Sequence, residues 1–155
     1  FFKEKEKPRK LNKPSIKKIQ EIEICDYNNL KAGKDFKLSS NEIIKNSLLT
    51  LEPEDSKSYA YCSDTSYKPD IIEIIKESNL LYHEATFLAD KEDLAKKTRH
   101  STAEQAALIA KKANVKKLIL GHYSSRYKDI SLFKKEAEEI FKDVILAESG
   151  KVISI

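Results

Sequence analysis

Short apolar runs alternate with helical segments from residue 58 onward, and this alternation constrains the fold more than any other feature of the chain. Residues 58–62, 80–83 and 117–121 have the length and the apolar or aromatic content of short strands. Residues 71–78 and 132–141 have helical spacing. Strands that alternate with helices pack as layers, so the sequence predicts an α/β architecture.

The clearest helix signal covers residues 101–114. Ser101 stands at the N-cap position, Glu104 occupies the third helical position of a capping box, and alanines follow. Near the C-terminus, residues 144–147 and 152–155 flank Ser149 and Gly150. That pattern predicts a final pair of strands joined by a turn.

Residues 1–57 differ from the remainder. They lack regular apolar periodicity, and the first 20 residues contain eight lysines or arginines against two glutamates. A helix capped by Ser15 is predicted to begin near that residue. The cations are either contacts for RNA phosphates or a solvated lysine-rich face. The candidate contacts are Lys10, Lys13, Lys17 and Lys18.

The composition excludes several classes of protein. Two cysteines, Cys25 and Cys62, are too few and too far apart for a disulfide framework or a thiolate metal site. A reducing, cytoplasmic location is therefore expected. No run of about 18 uncharged apolar residues is present, so we expect no membrane span and no membrane partner.

All three histidines of the chain lie at the ends of predicted segments. His83 and His122 stand at or just after strands, His100 directly precedes a helix, and Asp64 follows the first strand. Functional groups of α/β layers gather beyond the strand ends. Aspartate and histidine bind zinc, and a histidine can also protonate a leaving oxygen. These residues therefore predict a metal-dependent hydrolytic site.

Four segments occur in a characteristic order: Ser-Asp-Thr at 63–65, His-Glu-Ala-Thr-Phe at 83–87, His-Ser-Thr-Ala at 100–103, and Gly-His-Tyr-Ser-Ser-Arg-Tyr at 121–127. Residues 58–155 thereby resemble the ribonuclease Z family. The resemblance implies the C-terminal half of a metallo-β-lactamase fold, an αββα layered sandwich, with the N-terminal half absent. Residues 1–57 would lie at the position of the family's tRNA-binding arm.

The resemblance also implies roles for individual residues. Asp64 would bridge two zinc ions and His122 would bind one of them. His83 would donate a proton to the leaving 3′-oxygen, with Glu84 beside it. The remaining implied catalytic or phosphate-binding residues are His100, Thr102, Ser125 and Arg126.

By this resemblance, we expect a cytoplasmic, homodimeric, zinc-dependent endoribonuclease that removes the 3′ trailer from precursor tRNA. Two departures from the family pattern qualify that expectation. The histidine-rich metal motif of the family's first half is absent, so the metal site is incomplete and the 155 residues alone should be inactive. The glycine- and proline-rich tip of the arm is also absent, although residues 30–33 resemble the end of that insertion.

Two other hypotheses remain open at this stage. Another phosphodiesterase or hydrolase of the metallo-β-lactamase fold would share the aspartate and the last histidine. A non-catalytic RNA-binding module would account for the basic N-terminal segment and the incomplete metal site.

Overall fold

The computed structural model describes residues 1–155. It divides the chain into two compact units, one of residues 5–56 and one of residues 1–4 with 57–155. The strands are β1 (Phe2–Lys3), β2 (Lys10–Leu11), β3 (Phe36–Lys37), β4 (Ile43–Ile44), β5 (Thr50–Leu51), β6 (Ser58–Cys62), β7 (Leu80–Glu84), β8 (Leu118–Gly121) and β9 (Val144–Leu146). The helices are α1 (Lys13–Ile16), α2 (Tyr27–Lys31), α3 (Asn46–Leu49), α4 (Ile72–Ile75), α5 (Glu92–Thr98), α6 (Ala103–Lys112) and α7 (Ser131–Glu138).

The larger unit is built on one five-stranded sheet with the order β1-β6-β7-β8-β9. The edge strand β1 runs antiparallel to β6, and the other four strands are parallel. The observed alternation of parallel strands with helices confirms the predicted α/β class. No helix of the structure has the length and apolar character needed to cross a bilayer.

The register of the parallel strands brings their carboxyl ends to one edge of the sheet. Cys62 pairs with His83, and Glu84 pairs with Gly121 on the next strand. The segments that leave β6, β7 and β8 therefore start side by side. This edge is where the sheet can assemble a site from several loops.

Helices α6 and α7 cover one face of this sheet. Successive side chains of a strand point to opposite faces, so Leu118 and Leu120 share the face that meets the helices. The helices contribute a run of alanines and Phe133, which is fully buried. Small side chains on α6 let its backbone approach the sheet closely.

Helix α6 begins one residue later than the sequence predicts. The N-cap is Thr102, whose hydroxyl accepts a hydrogen bond from the backbone N–H of Gln105 at 3.1 Å, and the Gln105 side chain accepts from the Thr102 N–H. The predicted pair of Ser101 and Glu104 was wrong because the Ser101 hydroxyl donates to the Thr65 carbonyl at 2.6 Å.

The predicted final strand pair is also only half present. Val144–Leu146 is a strand, but residues 152–155 form none. The Lys57 ammonium contacts the carbonyl oxygen of Ile155, and Ile155 lies with Phe2 and Tyr59. The C-terminus thus lies beside the start of β6, where it cannot pair with β9.

The smaller unit, residues 5–56, has its own apolar cluster of Ile16, Ile22, Leu30 and Leu49. Its interior is fixed by Asn46, whose amide donates to the carbonyls of Leu30 and Lys34 at 2.8 Å each. The helix predicted from Ser15 begins earlier, because the Asn12 side chain caps α1 by accepting from the Ser15 N–H.

Gly121, the last residue of β8, lies directly under the aromatic ring of Tyr82. A Cβ at position 121 would lie 2.7 Å from two ring carbons of Tyr82 and still closer to its hydroxyl oxygen. The Tyr82 ring is held from its other side by Tyr61, whose centroid is 4.6 Å away in a stacked arrangement. A side chain at position 121 therefore has no space.

We predict that Gly121→Ala lowers the free energy of unfolding by about 1–3 kcal/mol through overpacking. The cost should shrink in a Tyr82→Ala background, where the ring is absent. Urea denaturation of the two single variants and the double variant measures this coupling. An equal cost of Gly121→Ala in both backgrounds would contradict the steric explanation.

Candidate functional site

Asp64 and His122 face each other at the carboxyl edge of the sheet. Asp64 Oδ1 lies 3.0 Å from His122 Nε2. Each follows a strand and has a left-handed backbone, with φ of 49° for Asp64 and 62° for His122. Left-handed aspartate and histidine are uncommon but more frequent than most non-glycine residues in that region. The sharp turn at each strand end presents both side chains to the same solvent-exposed spot.

His100 joins this pair as a third possible ligand. The ligand atoms of Asp64, His100 and His122 lie within 4.8 Å of one another, and the rings of the two histidines have centroids 5.2 Å apart. His100 is contributed by the segment between α5 and α6 rather than by a strand end. The sequence pattern grouped these three residues with His83, whereas the structure brings the three together without His83.

Glu84 lies beneath the group and is fully buried. Its Oε1 accepts hydrogen bonds from His100 Nδ1 at 2.7 Å and from the Thr65 N–H at 3.0 Å. Its Oε2 accepts from the Thr86 N–H at 3.0 Å and from the Thr86 hydroxyl at 2.8 Å. Every oxygen of this buried carboxylate therefore has two partners, which is what a buried charge requires.

The Thr86 hydroxyl also lies 2.8 Å from Nδ1 of His122. Because Nδ1 of His100 contacts Glu84 and Nδ1 of His122 contacts Thr86, each imidazole keeps Nε2 for another partner. For His122, Nε2 is the atom that faces Asp64. This donor set of two nitrogens and a carboxylate oxygen fits zinc or a similar transition metal.

His83 lies outside this group. Its side chain is fully buried, its Nδ1 contacts the Glu84 carbonyl oxygen at 2.7 Å, and its Nε2 has no hydrogen-bond partner. Burial in these apolar surroundings lowers the pKa of His83 below its ordinary value. On strand β7, His83 points to the same face as Leu81, toward the helices rather than toward Asp64.

The predicted phosphate-binding residues divide into a structural one and two exposed ones. Thr102 is 1% exposed and its hydroxyl caps α6. Ser125 and Arg126 are exposed and follow His122 by three and four residues, and the Arg126 side chain has no ion-pair partner in the structure. Tyr127 packs its ring against Phe133, with centroids 4.9 Å apart.

Two cations near His100 were missed by the sequence analysis. Lys96 and Arg99 line a cavity of about 370 Å³ that His100, Tyr67 and Gln105 also line. Neither cationic side chain makes an ion pair or a hydrogen bond in the structure. Arg99 has a left-handed backbone at the end of α5, with φ of 62°, immediately before His100. In the sequence, the indication of a role for Arg99 is its position next to His100.

Searches of known proteins give one consistent result, although no family model matches the chain. Ribonuclease Z of Porphyromonas gingivalis strain W83 is 43% identical over all 155 residues, which are 51% of that protein. Ribonuclease Z of Bacteroides thetaiotaomicron is 42% identical over the same 155 residues, 49% of its length. That of Parabacteroides distasonis is 52% identical over 126 residues, 81% of this chain and 41% of that protein.

The chain belongs to the ribonuclease Z family. It spans about half the length of the curated relatives that it matches. Among solved structures, human tRNase Z short form matches with a TM-score of 0.51 at 30% identity, over 73% of this chain and 36% of that one. The metallo-β-lactamase fold protein YhfI from Bacillus subtilis matches with a TM-score of 0.59 at 29% identity, over 63% and 40%. The predicted partial metallo-β-lactamase fold is thereby confirmed.

The buried His83 makes the stability of this ribonuclease Z-family chain depend on pH. The unfolded chain takes up a proton near pH 6.5, whereas the folded chain resists protonation to lower pH. The stability is therefore fully present above about pH 6.5 and is lost as the pH falls toward the lowered folded pKa. We predict that this contribution falls by up to about 1.4 kcal/mol per pH unit in that window.

Urea denaturation between pH 7.5 and pH 5 measures this slope. The variant His83→Leu keeps an apolar side chain in the buried space and has no group to protonate, so its slope should be smaller than that of the wild-type chain. His83→Gln provides a second uncharged comparison with a polar side chain. Identical slopes for the wild-type chain and both variants would show that His83 does not carry this pH dependence.

Proposed function

We propose that the chain carries the acid–base residues and part of the metal site of a zinc-dependent endoribonuclease that removes the 3′ trailer from precursor tRNA. The observation that carries the proposal is the Glu84–His100 pair next to the facing Asp64 and His122, within a ribonuclease Z-family sequence. The family supplies the substrate class, and the geometry supports a role for each residue.

Asp64 and His122 are the residues that would hold the metal. With Nδ1 of His122 directed at Thr86, the Nε2 lone pair and the Asp64 carboxylate oxygen are two acceptors 3.0 Å apart. Such a pair needs a cation between its members, and two ligands of a tetrahedral zinc ion are roughly 3.3 Å apart. When bound, zinc supplies Lewis-acid polarisation of the phosphate and a more acidic water.

We assign the proton-donor role to His100 rather than to His83. The His100 side chain is partly exposed and lies beside Asp64 and His122. The His83 side chain is fully buried and has no access to solvent. In its protonated form His100 is stabilised by the Glu84 carboxylate at Nδ1 and can donate from Nε2. As the P–O3′ bond breaks, that proton passes to the leaving 3′-oxygen, and the new P–O bond forms to a water oxygen, which releases a proton to the solvent.

The metal site requires ligands beyond those that this chain offers. A zinc ion takes about four ligands and two-metal hydrolysis needs two ions, whereas Asp64 and His122 are only two ligands once His100 serves as the acid. We infer that two zinc ions per site need further protein ligands from outside these residues, and that the 155 residues alone are inactive. A homodimer also stays a prediction, to be measured by light scattering.

RNA contacts are proposed at two places. Lys96 and Arg99 line the cavity beside His100, and their unpaired charges are available for phosphate oxygens. In the smaller unit, Lys13, Lys17 and Lys18 are exposed, while Lys10 is held by Glu54 at 2.6 Å. Contact of these four lysines with tRNA stays a prediction, as does phosphate binding by Ser125 and Arg126.

The first functional prediction concerns the acid. In a protein that contains these residues together with the complete metal site, His100→Ala should lower kcat for a precursor tRNA by about 100- to 10,000-fold. Zinc content should remain, because Asp64 and His122 are intact. Cleavage is measured by gel analysis of the released trailer, with His83→Gln as the comparison and a small phosphodiester as the alternative substrate.

Full activity of His100→Ala, together with loss of activity in a folded His83→Gln, would show that His83 is the proton donor. Cleavage of the small phosphodiester but not of precursor tRNA would instead support a different phosphodiesterase of the same fold. Binding of tRNA without any cleavage would support the non-catalytic alternative.

The second functional prediction concerns the cavity. The double variant Lys96→Gln/Arg99→Gln should raise KM for precursor tRNA by roughly 10-fold and reduce its salt dependence, because two phosphate contacts are lost. The matched control is Lys111→Gln/Lys116→Gln, which removes two exposed cations that do not line the cavity. Equal effects of the two double variants would show that only net charge matters.

A further inference from the structure

Thr86 occupies an unusual place between the acid–base pair and the metal ligands. It is 7% exposed, and its hydroxyl lies 2.8 Å from Glu84 Oε2 and 2.8 Å from His122 Nδ1. No other side chain in the structure lies within hydrogen-bond distance of both the Glu84 carboxylate and the His122 ring. The position therefore links two groups that the proposed mechanism treats as separate.

The direction of each hydrogen bond follows from counting hydrogens. Both oxygens of Glu84 already accept from backbone N–H groups, those of Thr65 and Thr86. A carboxylate only accepts, so the single hydrogen of the Thr86 hydroxyl points to Oε2. The hydroxyl can then only accept from His122, and the ring hydrogen of neutral His122 must lie on Nδ1.

The same carboxylate determines the tautomer of His100 without an intermediary. Nδ1 of His100 is 2.7 Å from Glu84 Oε1, so its ring hydrogen also lies on Nδ1. Both imidazoles thereby direct a lone pair from Nε2. One buried glutamate specifies the hydrogen positions of two histidines, directly for His100 and through Thr86 for His122.

The backbone around Thr86 is held firmly enough for this purpose. The Ala85 N–H donates to the Gly121 carbonyl at 2.8 Å, and the Ser124 N–H donates to the Thr86 carbonyl at 3.1 Å. The segment that carries Thr86 is thus joined to the residues on both sides of His122. These bonds hold the backbone of Thr86 at a fixed distance from the backbone of His122.

We propose that Thr86 is a positioning residue that fixes the Nδ1–H tautomer of His122 and so presents Nε2 to a metal ion. The inference deepens the proposed function, because it assigns the outer hydrogen bond of the metal ligand His122. Outer hydrogen bonds to ligating histidines commonly change metal affinity about 10- to 100-fold. Glu84 is the common anchor of the acid and of this ligand.

The experiment is long-range ¹H–¹⁵N NMR of the imidazole rings in the 155-residue chain, which has three histidines to assign. In the wild-type chain at pH 7.5, His100 and His122 should both show the Nδ1–H pattern. Thr86→Val retains the branched shape and removes the hydroxyl, so His122 alone should become a mixture of tautomers. Thr86→Ser restores the hydroxyl and should restore the wild-type pattern.

Zinc affinity, measured by competition with a chelator in a protein that contains these residues together with the complete metal site, provides a second readout. It should fall about 10- to 100-fold in Thr86→Val and stay within about threefold of wild type in Thr86→Ser. An unchanged His122 tautomer in Thr86→Val, or an equal loss in both variants, overturns the proposal. A change of the His100 pattern in Thr86→Val overturns it as well, because the contact of His100 with Glu84 does not pass through Thr86.

These outcomes are separate from those that test the proposed function. Tautomers that respond as expected, together with no nuclease activity in a protein that has the complete metal site, would leave the role of Thr86 intact and refute the nuclease. Cleavage of precursor tRNA together with histidine tautomers that do not change in Thr86→Val would support the nuclease and refute the role of Thr86.

Discussion

The buried carboxylate of Glu84 is the interaction on which the site depends. Removing a carboxylate from water is costly unless every oxygen has partners, and here four donors meet two oxygens. The donors come from the segment after β6, from the segment after β7, and from the segment before α6. The need to satisfy one buried charge therefore gathers three parts of the chain that are distant in sequence.

Strain at the rim of the sheet is consistent with this arrangement. Asp64 and His122 both adopt left-handed backbone conformations, each of which costs of order 1 kcal/mol for a residue other than glycine. Such conformations persist only where the surroundings over-determine them. The hydrogen bonds of Glu84 and Thr86 next to these turns are the surroundings that do so. The contacts that anchor the side chains also stabilise the turns that present them.

The sequence predicted the layers and most of the site because both depend on local patterns. Apolar runs of four or five residues identify strands, and residues just beyond parallel strands share an edge, which is why Asp64, His83 and His122 were expected together. The role of His83 could not be settled the same way. A strand has two faces, and nothing in Leu-Leu-Tyr-His-Glu says which face meets the helices. Only the packing of Leu81 against them assigns His83 to the interior.

The other errors have the same origin in long-range contacts. Ser101 and Thr102 are both good N-cap residues, and the contact of the Ser101 hydroxyl with Thr65 decides between them. The end of the chain has β-prone residues, but Ile155 contacts Lys57 instead of forming a strand. In the sequence, nothing distinguishes Lys96 and Arg99 from the many other cations of the chain. Only the three-dimensional structure shows that both line the cavity beside His100.

The folded backbone keeps the Asp64 carboxylate and the Nε2 atom of His122 facing each other. Two acceptors 3.0 Å apart repel unless a proton or a metal ion lies between them. The His122 ring cannot turn its other nitrogen toward Asp64, since Nδ1 is engaged by Thr86, and neither backbone can relax without leaving its turn. The fold therefore holds a carboxylate oxygen and an imidazole nitrogen close together, an arrangement that a cation between them would stabilise. A site of this kind binds its ion with little rearrangement, because the cost of ordering the ligands has been met by the folding of the sheet edge.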